Sequence, residues 1–405
     1  MKNVLYLSYD GMTDPLGQSQ VLPYLTGLSK KGFQFTLISF EKPDRYEQEK
    51  SKIEALCEAN NILWKPLVYT KRPPVLSTVL DIRKMNKTAF ALHREKHFQL
   101  VHCRSYISAL VGLKLKRQKG IKLLFDMRGF WADERIEGNI WNIKNPLFKS
   151  IYSYFKKKEK QYFEESDAIV SLTETGKREI LSWKLPRVST EKISVIPCCV
   201  DLKLFDPARI DPDAIFKKKF EYRLQDQFIV GYVGSIGTWY QLREMLLAFK
   251  RILQLKPNAV FLFVTKESPS IIHSEAKNME INTGSIRIVS VQHQHVPDYI
   301  SLFDCSIFFI RPSFSKQASS PTKQGEIMAM GIPLICNAGV GDTDELVNRY
   351  QSGLVLKATT DETLASFSLD FTDFDRERTM HGAQEYFSLD GGIEAYYRIY
   401  DQFVG

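Results

Sequence analysis

The sequence of 405 residues lacks several features that would assign it to a familiar class. Its six cysteines form no CxxC pair, which argues against a zinc site or a redox dithiol. No run approaches the roughly 20 apolar residues that a membrane-spanning helix needs. The first residues have the pattern of a strand. They do not form a signal peptide, because they lack its long apolar core and its small-residue cleavage site. We therefore expect a cytoplasmic protein, at most peripheral on the inner face of a membrane.

A strong excess of one charge is also lacking. The 55 Lys and Arg residues only slightly outnumber the 47 Asp and Glu residues, for a formal net charge of +8. This balance suits an anionic ligand or an anionic membrane surface, and it falls short of the basic patch that predicts a nucleic-acid partner. With 44% hydrophobic and 25% charged residues, the composition is that of a globular protein with large cores.

The usual phosphate-binding motifs are absent too. The glycine-containing loop Asp10–Ser19 has the wrong glycine spacing for a P-loop, and no Lys follows it. It also lacks the G-x-G-x-x-G pattern, as does the segment Gly234–Tyr240, which disfavours a dehydrogenase. We still predict that Gly17 lets the backbone approach a ligand phosphate, with a helix beginning near Gln20. The alternative is an ordinary turn between a strand and a helix.

Short apolar runs alternate with longer helical patterns along the whole chain. Strands separated by helices predict βαβ units and parallel sheets. The runs fall into two sets of equal size, which is too many strands for one usual core. They are Val4–Ser8, Phe35–Phe40, Leu100–Cys103, Leu123–Asp126, Ala168–Leu172 and Ile193–Pro197, then Ile229–Val233, Val260–Val264, Ile286–Val289, Ser306–Ile310, Pro333–Cys336 and Leu354–Leu356.

Proline and aspartate punctuate the chain between Asp201 and Gln227, which predicts a domain boundary there. We expect one domain over residues 1–205, a second over 206–385, and a closing helix within 386–405 that packs back on the first domain. The fold class is α/β, with two Rossmann-like domains whose parallel sheets face across a cleft. A ligand would bind in this cleft, at the carboxyl ends of both sheets.

The most informative segment is Ser319–Ile335. It predicts a loop, a short helix opened by Pro321 and ended by Gly331, and then an apolar strand. Lys323 and Glu326 are three residues apart and share one helix face.

This helix start has the chemistry of a nucleotide-sugar site. The Lys323 ammonium and the free N–H groups of the first turn, near Ser320 and Thr322, suit a diphosphate. The Glu326 carboxylate suits a sugar diol. The alternative is a surface lysine beside a glutamate that stabilises the first turn. The apolar residues that follow favour a buried helix whose charged pair needs a ligand.

Four segments in order resemble the family 4 glycosyltransferases of the GT-B fold, in a bacterial subgroup linked to surface polysaccharide synthesis. They are Asp14–Gln20, Phe125–Arg135, Val195–Asp201 with Phe205, and Ser319–Ile335. The resemblance implies transfer of a sugar from a nucleotide-sugar to a hydroxyl acceptor, with retention of configuration and without an essential metal. It implies no cofactor beyond the nucleotide-sugar co-substrate, and an acceptor that is a glycan or a lipid-linked saccharide.

The chain departs from the family pattern at two places. The family's Glu-x7-Glu signature would place its first Glu at Ala318, and only the second Glu, Glu326, is present. The family's Arg and Lys after the first strand of the second domain are also missing. We expect Lys323, Arg311 and Lys316 to supply the positive charge instead.

The segment Gly234–Tyr240 stands where that Arg and Lys would be. It follows a predicted strand and is expected to open a helix. We predict that Gly234, Ser235 and Thr238 contact the donor through backbone N–H groups and hydroxyls. The alternative is that these polar residues only cap the helix.

In the first domain, the family commonly has a catalytic His after the strand at Leu123–Asp126. Arg128 falls near that position, and it would bind a phosphate or an acidic sugar because a guanidinium stays charged. Glu134 or Asp126 would act as the base toward the acceptor hydroxyl. The alternative is a structural salt bridge among Asp126, Arg128 and Glu134.

Three further patterns favour ordinary structural roles or remain open. His293 and His295 are expected to share a face of an extended, solvent-exposed loop, and no third ligand makes them a metal site. The D-x-D match at Asp342–Asp344 more simply predicts a helix cap, so no metal is expected. The amphipathic stretch Pro146–Phe163, with lysines at 156–158 and 160, predicts either an anionic membrane surface or a helix with solvated lysines.

Two other functions remain open from the sequence. A sugar-nucleotide epimerase shares the two-domain form and would act without an acceptor. A non-catalytic subunit that binds a nucleotide-sugar or a partner enzyme would explain the missing first Glu and the missing Arg and Lys.

Overall fold

A computed structural model describes residues 2–404 of the protein. The chain divides into two compact units. The first unit consists of Met1–Pro197 together with Leu389–Gly405, and the second is Cys198–Ser388. Each unit contains one parallel sheet flanked by helices, which confirms the predicted α/β class with two Rossmann-like domains. In the described chain, no helix combines the length and apolar character needed to span a bilayer.

The sheet of the first unit has seven parallel strands in the order β3-β2-β1-β4-β5-β6-β7. The order reverses between β1 and β4, and such a reversal is where open α/β sheets bind ligands. The strands are β1 Lys2–Ser8, β2 Phe33–Glu41, β3 Ile62–Val68, β4 Leu100–Arg104, β5 Lys122–Asp126, β6 Ala168–Ser171 and β7 Ile193–Val195. The helices are α1 Pro15–Gln20, α2 Leu22–Lys30, α3 Pro43–Ala59, α4 Leu76–Lys96, α5 Ser105–Lys119, α6 Trp131–Glu137, α7 Pro146–Glu165 and α8 Glu174–Ser182.

The sheet of the second unit has six parallel strands in the order β10-β9-β8-β11-β12-β13, with its reversal between β8 and β11. The strands are β8 Phe228–Val233, β9 Ala259–Val264, β10 Ile286–Val289, β11 Cys305–Phe308, β12 Leu334–Asn337 and β13 Gly353–Leu356. The helices are α9 Pro212–Glu221, α10 Leu242–Leu255, α11 Pro269–Asn278, α12 Val296–Ile300, α13 Thr322–Ala329, α14 Thr343–Arg349, α15 Asp361–Ser366 and α16 Arg376–Phe387. The final helix, α17 Leu389–Val404, belongs to the first unit.

The edge strand β3 was missed in the sequence, which predicted only six strands in the first half. Pro66 lies inside this strand, and proline disfavours a strand prediction because it cannot donate to the ladder. The structure tolerates it because β3 pairs only with β2 among the described strands, so one side of the strand has no ladder to satisfy. Buried Ile62 and Trp64 alternate with exposed Leu63 and Lys65, as an edge strand allows.

The boundary between the units lies before the predicted one at residue 205. The N–H of Val200 donates to the carbonyl of Phe387 at 2.7 Å, and Phe205 lies in the apolar core of the second unit. These two contacts assign residues 198–205 to the second unit. The later boundary lies at Ser388, three residues beyond the predicted 385.

The prediction of a loop up to Ser19 was wrong, because α1 already begins at Pro15. Proline suits a first helical position, where its missing N–H is not needed. Gly17 lies inside this helix, and a Cβ there would stand 2.2 Å from the carbonyl oxygen of Gly11. Glycine at position 17 therefore lets α1 pack tightly on the preceding loop.

Candidate active site

Helix α13 holds the two charged residues that the sequence singled out. Pro321 is its N-cap, and Gly331 follows its end with a left-handed φ of +66°, as predicted for a helix stop. Gly325 lets the helix pack closely, because a Cβ there would lie 2.8 Å from Phe387 and 2.9 Å from Val200. Every residue from Lys323 to Ala329 is buried.

Lys323 is enclosed by aromatic side chains. Its Nζ donates to the hydroxyl oxygen of Tyr232 at 2.8 Å, and that hydroxyl donates to the carbonyl of Ser235 at 2.6 Å. The same Nζ lies 3.5 Å from the ring centre of Tyr240 and 4.0 Å from that of Tyr232. Ring faces attract cations, so this cage favours the ammonium form.

The charge of Lys323 is not neutralised by an ion pair. No carboxylate of residues 2–404 lies within ion-pair distance of its Nζ, although its side chain is buried. Burial lowers the pKa of Lys323 well below its ordinary value, and the charge of Glu326 only partly opposes this. A buried ammonium without an anion is costly. An anionic ligand in this place would therefore be strongly favoured.

Glu326 pairs with a histidine that was expected to be a bystander. Nε2 of His293 lies 2.9 Å from Oε1 of Glu326, and this contact raises the pKa of His293. His293 is half-exposed, as predicted. The sequence did not predict its contact with Glu326. The predicted extended stretch is a short 3-10 turn over His293–His295, and the ring of His295 lies within hydrogen-bond distance of Gln294.

Two further cations flank a tryptophan in the same unit. Nζ of Lys316 lies 3.8 Å from the ring centre of Trp239, and the guanidinium of Arg311 lies 4.9 Å from it. The backbone N–H of Arg311 donates to the carbonyl of Trp239 at 2.9 Å, which fixes the tryptophan beside the end of β11. The structure thus brings Arg311 and Lys316 together around one ring.

The segment Gly234–Tyr240 does not open a helix directly, because α10 begins only at Leu242. It is a loop that pairs with the chain after β11 through Tyr240 and Ile310. Gly234 has a φ of +102°, and a Cβ there would lie 3.4 Å from Nζ of Lys323. Ser235 and Thr238 lie on the same loop, and both are exposed. Of the three predicted donor contacts, Gly234 is therefore the one placed against Lys323.

The residues before α13 are held by a hydrogen bond and by a short 3-10 turn. The hydroxyl of Ser320 accepts a hydrogen bond from the N–H of Cys198 at 3.2 Å, and Thr322 begins the helix. Ala318, where the family has its first Glu, is fully buried in a 3-10 turn over Ser315–Ala318. A carboxylate at this fully buried position would be costly unless a cation paired with it.

In the first unit, Asp126 is the centre of a buried polar cluster. The hydroxyl of Tyr396 donates to its Oδ2 at 3.1 Å, and Nε2 of His102 lies 3.4 Å away. Nδ1 of His102 lies 2.6 Å from the hydroxyl of Tyr400, so the cluster joins β4 and β5 to helix α17. Asp126 is 1% exposed, and such burial suits a structural role better than that of a base that must reach an acceptor.

Arg128 follows this strand with a left-handed φ of +57°, and its Nη1 lies 3.8 Å from Oδ1 of Asp126. The desolvation of Asp126 opposes ionisation, but Arg128, His102 and Arg104 together keep the pKa of its carboxyl below the ordinary value. Glu134 lies in the first turn of α6. The structure thus shows the Asp126–Arg128 contact of the predicted structural alternative, and roles for Arg128 and Glu134 in the reaction remain predictions.

Two other sequence patterns receive a structural explanation. Asp342 is the N-cap residue of α14, and its carboxylate accepts a hydrogen bond from Tyr386 at 2.7 Å. Within residues 2–404, no group of three or more His, Cys, Asp or Glu residues is arranged to hold a metal ion. On α7, the Lys156 ammonium bonds to Asp133 at 2.8 Å and pairs with Glu159, so this lysine is structural.

The sequence did not identify Tyr232, Tyr240, Trp239 or His293 as site residues. All four lie in the second unit, near the carboxyl edge of its sheet. Tyr232 is in β8, Trp239 and Tyr240 are in the loop after β8, and His293 follows β10. Their position after predicted strands was the available signal, because parallel strands end at one edge. The pairing of each aromatic residue with a particular cation depends on tertiary packing and has no local pattern.

Comparisons with known proteins agree with this arrangement. The model of the family described as "Glycosyltransferase Family 4" matches residues 19–204, and that of "Glycosyl transferases group 1" matches residues 214–373. The chain belongs to the family 4 glycosyltransferases of the GT-B fold. This membership confirms the resemblance found in the sequence, and it makes the chain a glycosyltransferase.

One relative and two solved structures illustrate the similarity. The capsular polysaccharide biosynthesis glycosyltransferase CapM of Staphylococcus aureus is 23% identical over 282 residues, 68% of each chain. Sucrose-phosphate synthase of Thermosynechococcus elongatus has a TM-score of 0.74 at 16% identity, and 99% of each chain is covered. Anabaena Alr3699/HepE in complex with UDP and glucose has a TM-score of 0.70 at 12% identity, again with 99% of each chain covered. At these identities, the two structures show the fold.

Proposed function

We propose that this chain transfers a sugar from a nucleotide-sugar to a hydroxyl acceptor during surface polysaccharide synthesis. The name of the Staphylococcus relative supports the pathway, and the UDP and glucose in the Anabaena complex support the donor class. The observation that carries the proposal is the buried ammonium of Lys323, which lacks a carboxylate partner within residues 2–404 and lies against the Gly234 backbone.

The donor diphosphate would supply the missing anion. When the bond between the anomeric carbon and the diphosphate oxygen breaks, the diphosphate leaves with the electron pair, and negative charge grows beside Lys323. A fixed positive group at that place stabilises the transition state more than the ground state. Arg311 and Lys316, held on Trp239, would add charge nearby, and Glu326 would accept hydrogen bonds from the ribose hydroxyls.

The acceptor hydroxyl oxygen forms the new bond to the anomeric carbon, and its proton passes to an oxygen of the leaving phosphate. This course would give retention of configuration and would need neither a catalytic histidine nor a metal. Arg128 and Glu134 are assigned to the acceptor side, where Arg128 would bind an acidic group. Gly17 would contribute through the backbone of α1, which its missing side chain allows to pack closely on the loop before it.

A second candidate is a non-catalytic subunit that binds a nucleotide-sugar. The fully buried Ala318 favours it, because this position of the family signature offers no carboxylate. An epimerase would instead convert the donor sugar without an acceptor. The three possibilities differ in their products and not in their binding.

A donor screen separates them. The full chain is first tested with a panel of nucleotide-sugars by thermal shift, since a bound donor stabilises the fold. The stabilising donor is then incubated with a mixture of glycan and lipid-linked acceptors, and the products are resolved by mass spectrometry. A glycosylated acceptor and free nucleoside diphosphate support transfer; an epimerised donor, or an intact donor despite binding, contradicts it.

A further inference from the structure

Lys323 and Glu326 lie one turn apart on α13, but they form no ion pair within residues 2–404. Nζ of Lys323 donates to Tyr232, and Oε1 of Glu326 contacts His293 instead. Opposite charges three residues apart on a helix commonly attract each other, and a low-dielectric interior strengthens that attraction. Both residues are buried. Other contacts therefore hold the carboxylate and the ammonium apart.

The partners of the two charged groups lie on different strands of the sheet. Tyr232 is in β8, His293 follows β10, and β9 lies between these strands. Neighbouring strands are about 4.8 Å apart, so the axes of β8 and β10 are separated by roughly 10 Å. Lys323 is thus drawn toward one strand end and Glu326 toward another.

The contact on the side of β10 is a hydrogen bond from the imidazole ring. Nε2 of His293 lies 2.9 Å from Oε1 of Glu326. A carboxylate only accepts hydrogen bonds, so Nε2 carries the hydrogen. This bond raises the pKa of His293, desolvation opposes the increase, and the charges of Glu326 and Asp201 add to it. His293 therefore binds the carboxylate more tightly as it gains a proton.

The ring of His293 is itself held in place. Its centre lies 5.4 Å from that of Phe205, which is 2% exposed in the core of the second unit. The N–H of His295 donates to the carbonyl of Gln292 at 2.9 Å and closes the turn that carries His293. The direction of the bond to Glu326 is thus set before a ligand binds, and a ligand does not need to order it.

One oxygen of the Glu326 carboxylate remains open. Within residues 2–404, Oε2 of Glu326 and Nδ1 of His293 make no hydrogen bond. Oε2 is also not among the buried atoms without a partner, so it is accessible to water or to a ligand. An ionised carboxylate oxygen in such a position accepts strong hydrogen bonds from hydroxyl groups.

We propose that His293 is a positioning residue that holds the Glu326 carboxylate away from Lys323. The ammonium of Lys323 then stays available to the donor diphosphate, and Oε2 of Glu326 stays available to a ribose hydroxyl. This inference rests on the proposed sugar transfer. It adds the residue that keeps the two charged groups of α13 apart and assigns a function to a histidine outside the family signature.

Removal of His293 should let the two charged groups meet. Glu326 would lose its partner and turn toward Lys323, and the diphosphate would have to compete with an internal ion pair. A competing state that is populated for about nine-tenths of the time lowers an apparent affinity about tenfold.

Calorimetric titration of the full chain measures this competition. UDP, GDP and ADP are tested first, and the tightest of them is then replaced by its 2′,3′-dideoxy analogue. The analogue has no ribose hydroxyl to donate to Glu326, so it isolates the contact of the diphosphate. His293→Leu should bind the analogue about tenfold more weakly than the parent does. Equal affinity in the parent and in folded His293→Leu would overturn the proposal.

A second substitution distinguishes positioning from damage to the turn. In the double variant His293→Leu with Glu326→Gln, no carboxylate remains to pair with Lys323. Affinity for the dideoxy analogue should therefore return to the parent value or exceed it, which is the non-additivity expected of two residues in contact. A loss of affinity that persists in the double variant would contradict the proposal.

The conservative variant His293→Gln tests the hydrogen bond itself. A glutamine amide can donate to Glu326 as Nε2 does, so this variant should keep the affinity of the parent. His295→Leu, on the same turn, is the matched control and should also keep it. If His293→Gln loses as much as His293→Leu, the ring contacts the ligand directly and the positioning role is wrong. An equal loss in His295→Leu would also count against it.

The same titrations separate this inference from the proposed function. If UDP, GDP and ADP all fail to bind the parent, the sugar-transfer proposal fails and this inference fails with it. If one of them binds and Lys323→Met weakens it while His293→Leu does not, the proposed function stands and only the positioning role fails. Circular dichroism and urea unfolding of each variant confirm that the fold is intact.

Discussion

The Nζ of Lys323 lies 2.8 Å from the hydroxyl oxygen of Tyr232, which is 91 residues away in the sequence. This hydrogen bond fixes the ammonium beside the loop after β8, where a Cβ on Gly234 would lie 3.4 Å from the same Nζ. The bond makes the tyrosine a positioning residue for the lysine.

Removing that hydroxyl should impair donor use. Tyr232→Phe keeps the ring and loses the acceptor, so kcat/KM for the donor should fall about tenfold, the value of one hydrogen bond to a charged group. Tyr240→Phe is the matched control, because its ring, and not its hydroxyl, contacts the ammonium. The control should retain activity near that of the parent. Steady-state kinetics measure kcat/KM for both variants. An equal loss in Tyr232→Phe and Tyr240→Phe would refute the positioning role.

The pH dependence of donor affinity should reveal Lys323. Burial lowers its pKa in the free protein, and a bound diphosphate would raise it again. Binding should therefore take up a proton at any pH between the two values, and affinity should fall as pH rises through that window, below the ordinary lysine pKa of about 10.4.

Calorimetry in buffers of different ionisation enthalpy measures this uptake. Lys323→Met should bind the donor more weakly and should show no proton uptake in the same window. Identical proton uptake in the parent and the variant would assign the titration to another group.

The His293–Glu326 contact should contribute to stability only at lower pH. The pKa of His293 is raised in the folded state, so its contribution is complete below the unfolded value of about 6.5 and is lost as pH rises through the folded value. Because His293 is half-exposed, His293→Asn should reduce the free energy of unfolding by less than about 1 kcal/mol below that pH.

Urea unfolding at several pH values checks this, with His295→Asn as the control. His295 lies beside Gln294 and pairs with no carboxylate of the described chain, so its substitution is the comparison for loss of the Glu326 contact. Matching pH profiles for the two variants would mean that the Glu326 contact does not stabilise the fold.

Restoring the family's first glutamate at position 318 should lower the stability of the protein and should not raise its turnover. Ala318 is fully buried, and Ala318→Glu would place a carboxylate inside the second unit at the cost of removing it from water. We expect the free energy of unfolding to fall by about 2–4 kcal/mol. Ala365→Glu, at an exposed position of α15, should cost little. A stable Ala318→Glu variant with higher turnover would show that the site tolerates and uses the family carboxylate.

The sequence was most informative where one local pattern determines one element. In α13, proline before the helix, glycine after it and an apolar run between them identified its bounds and its burial. The predicted runs of the second half all appear as strands, because each is a short apolar segment of a parallel sheet covered by helices. The α1 helix was missed because it is one short turn with a glycine in it, and short helices have weak periodicity.

The surroundings of the charged residues could not be predicted in the same way. Nothing in the sequence near Lys323 indicates that Tyr232 and Tyr240 enclose it, because the Lys323–Tyr232 contact joins residues 91 positions apart. The contact of His293 with Glu326 also depends on the turn after β10 and on the start of α13 together. Long-range packing, and not local propensity, determines such pairs.

The most direct test of the donor site compares a nucleoside diphosphate with its nucleoside. The tightest nucleoside diphosphate from the donor screen and its parent nucleoside are titrated into the parent protein and into Lys323→Met. Replacing a buried charge by an apolar side chain is often neutral or stabilising, so the variant should remain folded. The account predicts that Lys323→Met loses at least about tenfold in affinity for the diphosphate and none for the nucleoside. Unchanged diphosphate affinity in the folded variant would contradict it.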